Sequence, residues 1–158
     1  MIKYVPSMTS VVMEEVPDRV SLAVDISHCR GNCEGCHSPF LKEDIGEELT
    51  AAVIDALIDD NFGVDTFLFL GEGRDPETLL HLAAHVRGRG LSPALYSGRS
   101  AVEDAFWEAF DYIKLGPYMA SCGPLNEPTT NQRLYQRTGP GGREAFADIT
   151  SRFWRKAL

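Results

Sequence analysis

Val64-Asp65-Thr66-Phe67-Leu68-Phe69-Leu70 is a short, almost unbroken apolar run, and it constrains the fold more than any other stretch. A strand with one wet face alternates apolar and polar residues. A run without alternation reads as a strand buried on both faces, the condition of a central strand in an α/β sheet. The neighbouring segments repeat the theme. Residues 20–26 place Val20, Leu22, Val24 and Ile26 on one face and Ala23 on the other, and residues 93–96 and 111–115 read as two further strands. Between these lie helical spacings. Leu49, Val53, Ile54, Leu57 and Ile58 mark a helix over residues 48–60. Leu79, Leu80, Leu82, Ala83 and Val86 mark a second, opened by Pro76 with Asp75 as its cap and stopped at Gly88 or Gly90. Val102, Ala105, Phe106 and Ala109 mark a third. Strands alternating with helices over short connections predict a parallel sheet joined by right-handed crossovers. Residues 10–16 fit an edge strand. From Gly116 the chain turns Gly- and Pro-rich through Pro128, and Gly139-Pro140-Gly141-Gly142 is a break. Residues 143–158 read as a last amphipathic helix with Phe146, Ile149 and Phe153 on one side. The expectation is one domain over residues 1–158, with its core at about 19–116 and a C-terminal loop and helix over 117–158.

The chain has 158 residues and an apolar fraction of 44%, enough to bury a proper core. It has no apolar run of membrane-spanning length, and Met1-Ile2-Lys3-Tyr4 lacks the apolar block of a signal peptide. The expected setting is therefore the cytoplasm, without a membrane partner and with reduced cysteines. The net charge of −8 argues against non-specific nucleic-acid binding, which needs a basic face.

Chemistry is concentrated in Cys29-Arg30-Gly31-Asn32-Cys33-Glu34-Gly35-Cys36-His37, which follows the first central strand directly. Loops at the carboxyl ends of strands are where α/β proteins place their sites. Three thiols spaced C-x3-C-x2-C in so short a segment converge on a common centre, and such a centre favours zinc or an iron–sulfur cluster. Zinc would take Cys29, Cys33, Cys36 and His37. A cubic cluster would take the three cysteines and keep one iron open to a ligand. The residues alone leave both possible.

The spacing resembles the cluster motif of the radical S-adenosylmethionine superfamily. The flanks Ile26-Ser27-His28-Cys29 and Cys33-Glu34-Gly35-Cys36-His37-Ser38-Pro39-Phe40 resemble those of the small component that activates anaerobic ribonucleotide reductase. Gly35 stands where many superfamily members carry an aromatic residue, and glycine there is usual in the activase group. Pro128-Thr129-Thr130-Asn131-Gln132-Arg133 and Asp111-Tyr112-Ile113-Lys114-Leu115-Gly116-Pro117-Tyr118 carry the likeness further, so that it runs from about residue 20 to 133. The resemblance implies an incomplete, TIM-like α/β barrel with a parallel sheet. It implies a [4Fe-4S] cluster on Cys29, Cys33 and Cys36, with S-adenosyl-L-methionine on the fourth iron. It also implies reductive cleavage to a 5′-deoxyadenosyl radical that makes a glycyl radical on the anaerobic reductase, a large glycyl radical enzyme, with electrons from a one-electron donor such as flavodoxin. Apart from the cluster ligands it assigns no catalytic residue.

Further candidates sit at the other strand ends. Gly71-Glu72-Gly73 occupies the place of the superfamily's Gly-Gly-Glu-like motif, which holds the ligand's amino group, but in altered order. Ser97 is a candidate hydrogen-bond partner for the methionine or ribose part. Lys114 stands at the end of the fourth strand, and Asn131, Gln132 and Arg133 either contact the partner or brace its docking surface. His81 and His85, four apart on a helix, read as surface or packing residues, and Cys122 as an incidental thiol. Two other classes remain: a radical enzyme acting on a small molecule, such as a carboxy-deazaguanine synthase, and a non-catalytic zinc-binding module.

Overall fold

The computed structural model describes residues 1–28 and 39–154. Their elements in order are β1 (Lys3–Tyr4), β2 (Ser10–Val12), β3 (Ser21–Asp25), β4 (Glu47–Glu48), α1 (Ala51–Asp60), β5 (Thr66–Leu70), α2 (Pro76–Gly88), β6 (Ser92–Tyr96), α3 (Asp104–Ala109), β7 (Tyr112–Leu115), β8 (Arg133–Arg137) and β9 (Phe146–Asp148). Seven strands form one sheet in the order β2-β3-β5-β6-β7-β8-β9. The central strands β3, β5, β6 and β7 are parallel and adjacent in chain order, as the strand–helix alternation predicts. The flanks join through antiparallel pairs, β2 with β3, β8 with β7 and β9 with β8, so the architecture is α/β with a mixed sheet.

The two faces of the sheet are covered differently. Leu22, Val24, Phe67, Phe69, Leu95 and Ile113 point to one face and pack with Ile54 of α1, Leu79, Leu82 and Val86 of α2, and Phe106 and Trp107 of α3. Phe69 is the centre of this layer, with its ring 4.9 Å from Phe67 and 5.9 Å, edge-on, from Phe110. Ala23, Leu68, Ala94, Tyr112 and Leu134 point to the other face, which meets Val16 from the N-terminal segment and Ile149 from the C-terminal one. All three helices therefore serve a single face. The split of residues 20–26, with Leu22, Val24 and Ile26 against Ala23, falls as the alternation predicts.

Helix α2 starts where the sequence places it. Pro76 opens it, and the Asp75 carboxylate accepts from the Thr78 backbone N–H at 3.1 Å. Helix α1 begins later than the spacing suggests, at Ala51 behind a Thr50 cap. The reason is competition: Glu47 and Glu48 pair with Tyr4 and Lys3, and Leu49 N–H donates to Ile2 O at 2.8 Å.

The C-terminal helix expected over 143–158 is corrected. Among the described residues that stretch is a 3-10 turn (Arg143–Ala145), β9, and a second 3-10 turn (Thr150–Phe153). The three- and four-residue spacing of Phe146, Ile149 and Phe153 arises because the chain crosses the sheet edge. Phe146 packs with the helix face, whereas Ile149 and Phe153 pack with the opposite one. Strand β8, expected as loop, is held through Arg137. Its guanidinium donates to the carbonyls of Trp107, Glu108 and Phe110 and pairs with Asp111 at 3.1 Å. It thus satisfies the carbonyls that the end of α3 leaves open.

Truncating the central ring tests this packing. Phe69→Ala should cost about 3–5 kcal/mol of unfolding free energy, read from urea denaturation with an unchanged slope.

Candidate functional site

Parallel strands joined by crossovers present their carboxyl ends at one edge, and the loops after β3, β5, β6 and β7 share that rim. Cys29, Cys33, Cys36 and His37 lie outside the described residues. The residues on either side of them are described, and they are firmly placed. Ile26 N–H donates to Leu70 O at 3.0 Å, and Ser27 N–H to Lys3 O at 3.0 Å. The buried Ser27 hydroxyl donates to Ile45 O at 2.6 Å. His28, with a positive φ of 62°, donates its N–H to Glu43 O at 3.0 Å. The segment that holds the thiols is therefore closed at its base by a backbone hydrogen bond between its two flanks.

The glycine loop after β5 lies against that base. Gly71 and Gly73 have positive φ, 113° and 66°. A Cβ on Gly71 would stand 3.3 Å from Ile26 O, and one on Gly73 would stand 3.3 Å from Ile26 Cγ2. Conformation and space both call for glycine here. A cavity of about 270 Å³ opens beside it, lined by Lys3, Ser27, His28, Asp44, Gly73 and Arg74 among others.

Glu72 points across to the next loop. Its carboxylate accepts from the Ser97 hydroxyl and from Arg99, whose Nε and Nη2 reach it at 2.9 and 2.7 Å. The other edge of the guanidinium takes Glu103 at 2.8 Å through both Nη1 and Nη2. These carboxylates, Glu103 first, push the Arg99 guanidinium further above its ordinary range, and Arg99 holds Glu103 down to about 2. Ser97 is buried, and its oxygen also accepts from Arg99 N–H at 3.0 Å. Two of the candidate residues, Glu72 and Ser97, are thus drawn together by Arg99, which no motif in the sequence singles out. The available signal was the four-residue step from Arg99 to Glu103, an ion-pair spacing.

Lys114 is 7% exposed, so it is not a solvated strand-end lysine. Its ammonium donates to Gly116 O at 3.1 Å and Gln132 Oε1 at 3.0 Å and sits 5.3 Å from the centre of the Tyr96 ring. Asn131 Nδ2 donates to Pro117 O at 2.9 Å, while its buried Oδ1 has no hydrogen-bond partner among the described residues. Asn131 and Gln132 brace the loop after β7, and Arg133 pairs with Asp148 at 3.6 Å. In register across the face without helices, Asp25, Leu70, Tyr96 and Lys114 form a row at the carboxyl ends of the four parallel strands. Burial pushes the Tyr96 hydroxyl well up, reinforced by the charge of Glu15. Burial also raises the Asp25 carboxyl, which makes no side-chain hydrogen bond or ion pair among the described residues. Asp25 is a second residue that the sequence reading passed over, because it occupies a strand position that reads as merely interrupting an apolar run.

The remaining candidates lie elsewhere. His85 Nε2 pairs with Asp55 at 2.8 Å on the outer helices, and His81 is exposed. Cys122 is a free, half-buried thiol in the loop after β7, where its carbonyl accepts from Thr129 Oγ1 at 2.6 Å. Among the described residues no group of three His, Cys, Asp or Glu side chains is placed to hold a metal ion, and no helix is long and apolar enough to cross a membrane. Comparison of the chain with protein-family models, curated proteins and solved structures gave no match.

Asp25 yields a test with a definite sign. Its folded-state pKa lies above the unfolded value near 3.9, so the folded state binds the proton more tightly. The penalty for ionising it is absent below the unfolded pKa and grows as pH rises through the folded one. Asp25→Asn should therefore be more stable than the parent at pH 7 in urea denaturation, with the difference closing as pH falls to about 4.

Proposed function

We propose that this chain is a glycyl radical enzyme activase of the radical S-adenosylmethionine type. The observation that carries the reading is the contact between the glycine loop and the base of the cysteine segment. The C-x3-C-x2-C run begins just past β3, and the Gly71–Gly73 backbone lies directly on Ile26 at that strand's end. An amino acid held by that backbone would sit beside whatever the thiols bind.

Thiolates and an open fourth position suit a [4Fe-4S] cluster, and Cys29, Cys33 and Cys36 are the residues that would hold it. When bound and reduced by a one-electron donor, such a cluster supplies the electron that splits S-adenosyl-L-methionine into methionine and a 5′-deoxyadenosyl radical. The radical so formed would take a hydrogen atom from a backbone glycine of the partner, leaving 5′-deoxyadenosine and a glycyl radical. The chain's own part is binding, orientation and exclusion of water. Glycine backbone at residues 71–73 offers carbonyls to the ligand's ammonium. Glu72 is engaged by Arg99 and Ser97, which leaves the backbone as the main reader of that group. Leu70 and Tyr96 give the rim an apolar, aromatic floor on the face that carries no helix.

The same reading makes the sheet an incomplete barrel. Consecutive strands lie side by side with every helix on one face, which is the winding of a barrel; a doubly wound sheet reverses direction and covers both faces. The partner is a large glycyl radical enzyme, with the anaerobic ribonucleotide reductase as the proposed one. Its glycine loop would meet the rim beside residues 116–133, a surface that Asn131 and Gln132 stiffen from within.

Metal content and product decide the matter. Protein purified without oxygen should be brown and contain iron. Cys29→Ser, Cys33→Ser and Cys36→Ser should each lose it, and Cys122→Ser should keep it. A colourless, zinc-containing protein would falsify the radical reading in favour of a binding module. Gly71→Val should keep its iron and bind S-adenosyl-L-methionine more weakly in calorimetry. With ligand, reductant and the anaerobic reductase, electron paramagnetic resonance should show a glycine-centred doublet. Ligand cleavage without that doublet would support radical chemistry on some other substrate.

A further inference from the structure

The geometry points to Arg99 as the positioning residue that fixes the ligand loop of this site, by strapping three strand-end loops into one unit. The inference rests on the proposed S-adenosylmethionine reading for the ligand's identity, but not for the strap itself.

Arg99 belongs to the loop after β6 and reaches both neighbours. Its guanidinium holds Glu72 of the β5 loop with two hydrogen bonds, at 2.9 and 2.7 Å. Its carbonyl accepts from Gly116 N–H of the β7 loop at 2.7 Å. Within its own loop it is fixed twice, by its N–H on Ser97 Oγ at 3.0 Å and by two bonds to Glu103 at the start of α3. Phe106 lies under the guanidinium, 5.4 Å from its carbon, and limits where it can swing. A planar fork with two bidentate edges can join two carboxylates at once. A lysine ammonium can bridge two carboxylates but cannot hold either of them bidentately, so the position calls for arginine and not merely positive charge.

The consequence falls on Gly71 and Gly73. They flank Glu72, so holding the Glu72 carboxylate sets the direction of the peptide groups on either side. Glu72 is 17% exposed in its side chain, against 43% for Arg99. The carboxylate therefore faces inward and the guanidinium closes over it. Arg99 has no free edge left for a ligand carboxylate, since Glu72 takes one and Glu103 the other. Its action on the ligand passes through Glu72 and the loop.

The test uses the full chain, purified without oxygen, as Arg99→Ala, Arg99→Lys, Glu72→Gln and the Glu72→Gln/Arg99→Ala double variant. Amide hydrogen exchange of the ligand-free protein should speed up at residues 71–74 in Arg99→Ala, with the core of the sheet unchanged and with Gly116, whose partner is the backbone carbonyl that alanine keeps, unchanged as well. Binding of S-adenosyl-L-methionine should weaken about tenfold at unaltered iron content, as expected for loss of a charged bidentate contact. Arg99→Lys should behave like the alanine variant. The double variant should bind no more weakly than Arg99→Ala, because both changes cut the same link. Additive losses, or rescue by lysine, would show that Arg99 acts on the ligand as a bare charge and would overturn the proposal. Unchanged exchange at residues 71–74 would overturn the strap. If Arg99→Ala does not fold, Glu72→Gln and Arg99→Lys carry the exchange test at residues 71–74. If the parent protein binds no S-adenosyl-L-methionine, the radical reading fails, and the exchange measurement still decides for or against the strap.

Discussion

The structure depends on one-sided packing. Phe67 and Phe69 from β5, with Leu95 and Ile113 from the strands beside it, offer a continuous apolar face that α1, α2 and α3 cover together. Every crossover must then leave from the same side and return to it. The strands follow one another in space as they do in the chain, and their carboxyl ends collect at one rim. Burial of this face is the main source of stability, since aromatic and branched side chains of this size each contribute about 1.5–3 kcal/mol when fully buried. The other face is thereby released from that task. It can afford Asp25, Tyr96, Lys114 and Gln132 near the rim, groups that a helix-covered face would have to exclude or neutralise.

Two arginines tie the edges of the parallel strands. At the amino ends, Arg19 donates to Thr66 Oγ1 at 2.8 Å, Asp65 O at 3.0 Å and Ser92 Oγ at 3.0 Å and pairs with the Asp65 carboxylate at 3.2 Å, joining β3, β5 and β6. At the carboxyl ends, Arg99 is matched to two carboxylates. Arg19 thus combines three neutral acceptors with one carboxylate, whereas Arg99 sits between two carboxylates, so that Glu72, Arg99 and Glu103 together sum to −1.

The central strands and the start of α2 were legible because burial on both faces writes an unalternated run and a cap writes Asp-Pro. Strand β8 was not. Arg133-Leu134-Tyr135-Gln136-Arg137 has one fully buried apolar residue, Leu134, and its role in the sheet rests on Arg137 reaching the carbonyls at the end of α3, a long-range fit that no spacing records. The tail was misread because a strand that crosses a sheet edge can imitate helical periodicity, as Phe146 and Ile149 do. The cysteine run and the glycine loop announce themselves by composition. Arg99 does not, since its partner Glu72 lies in another loop; only the four-residue step to Glu103 is local.

The backbone bond from His28 to Glu43 has a consequence for what the body of the protein depends on. The flanks of residues 29–38 meet each other directly, so the described scaffold is already joined at that point. A chain closed directly between the two flanks would keep its sheet and its helices. Insertions or deletions within residues 29–38 would then be expected to leave the packed sheet and its helices standing.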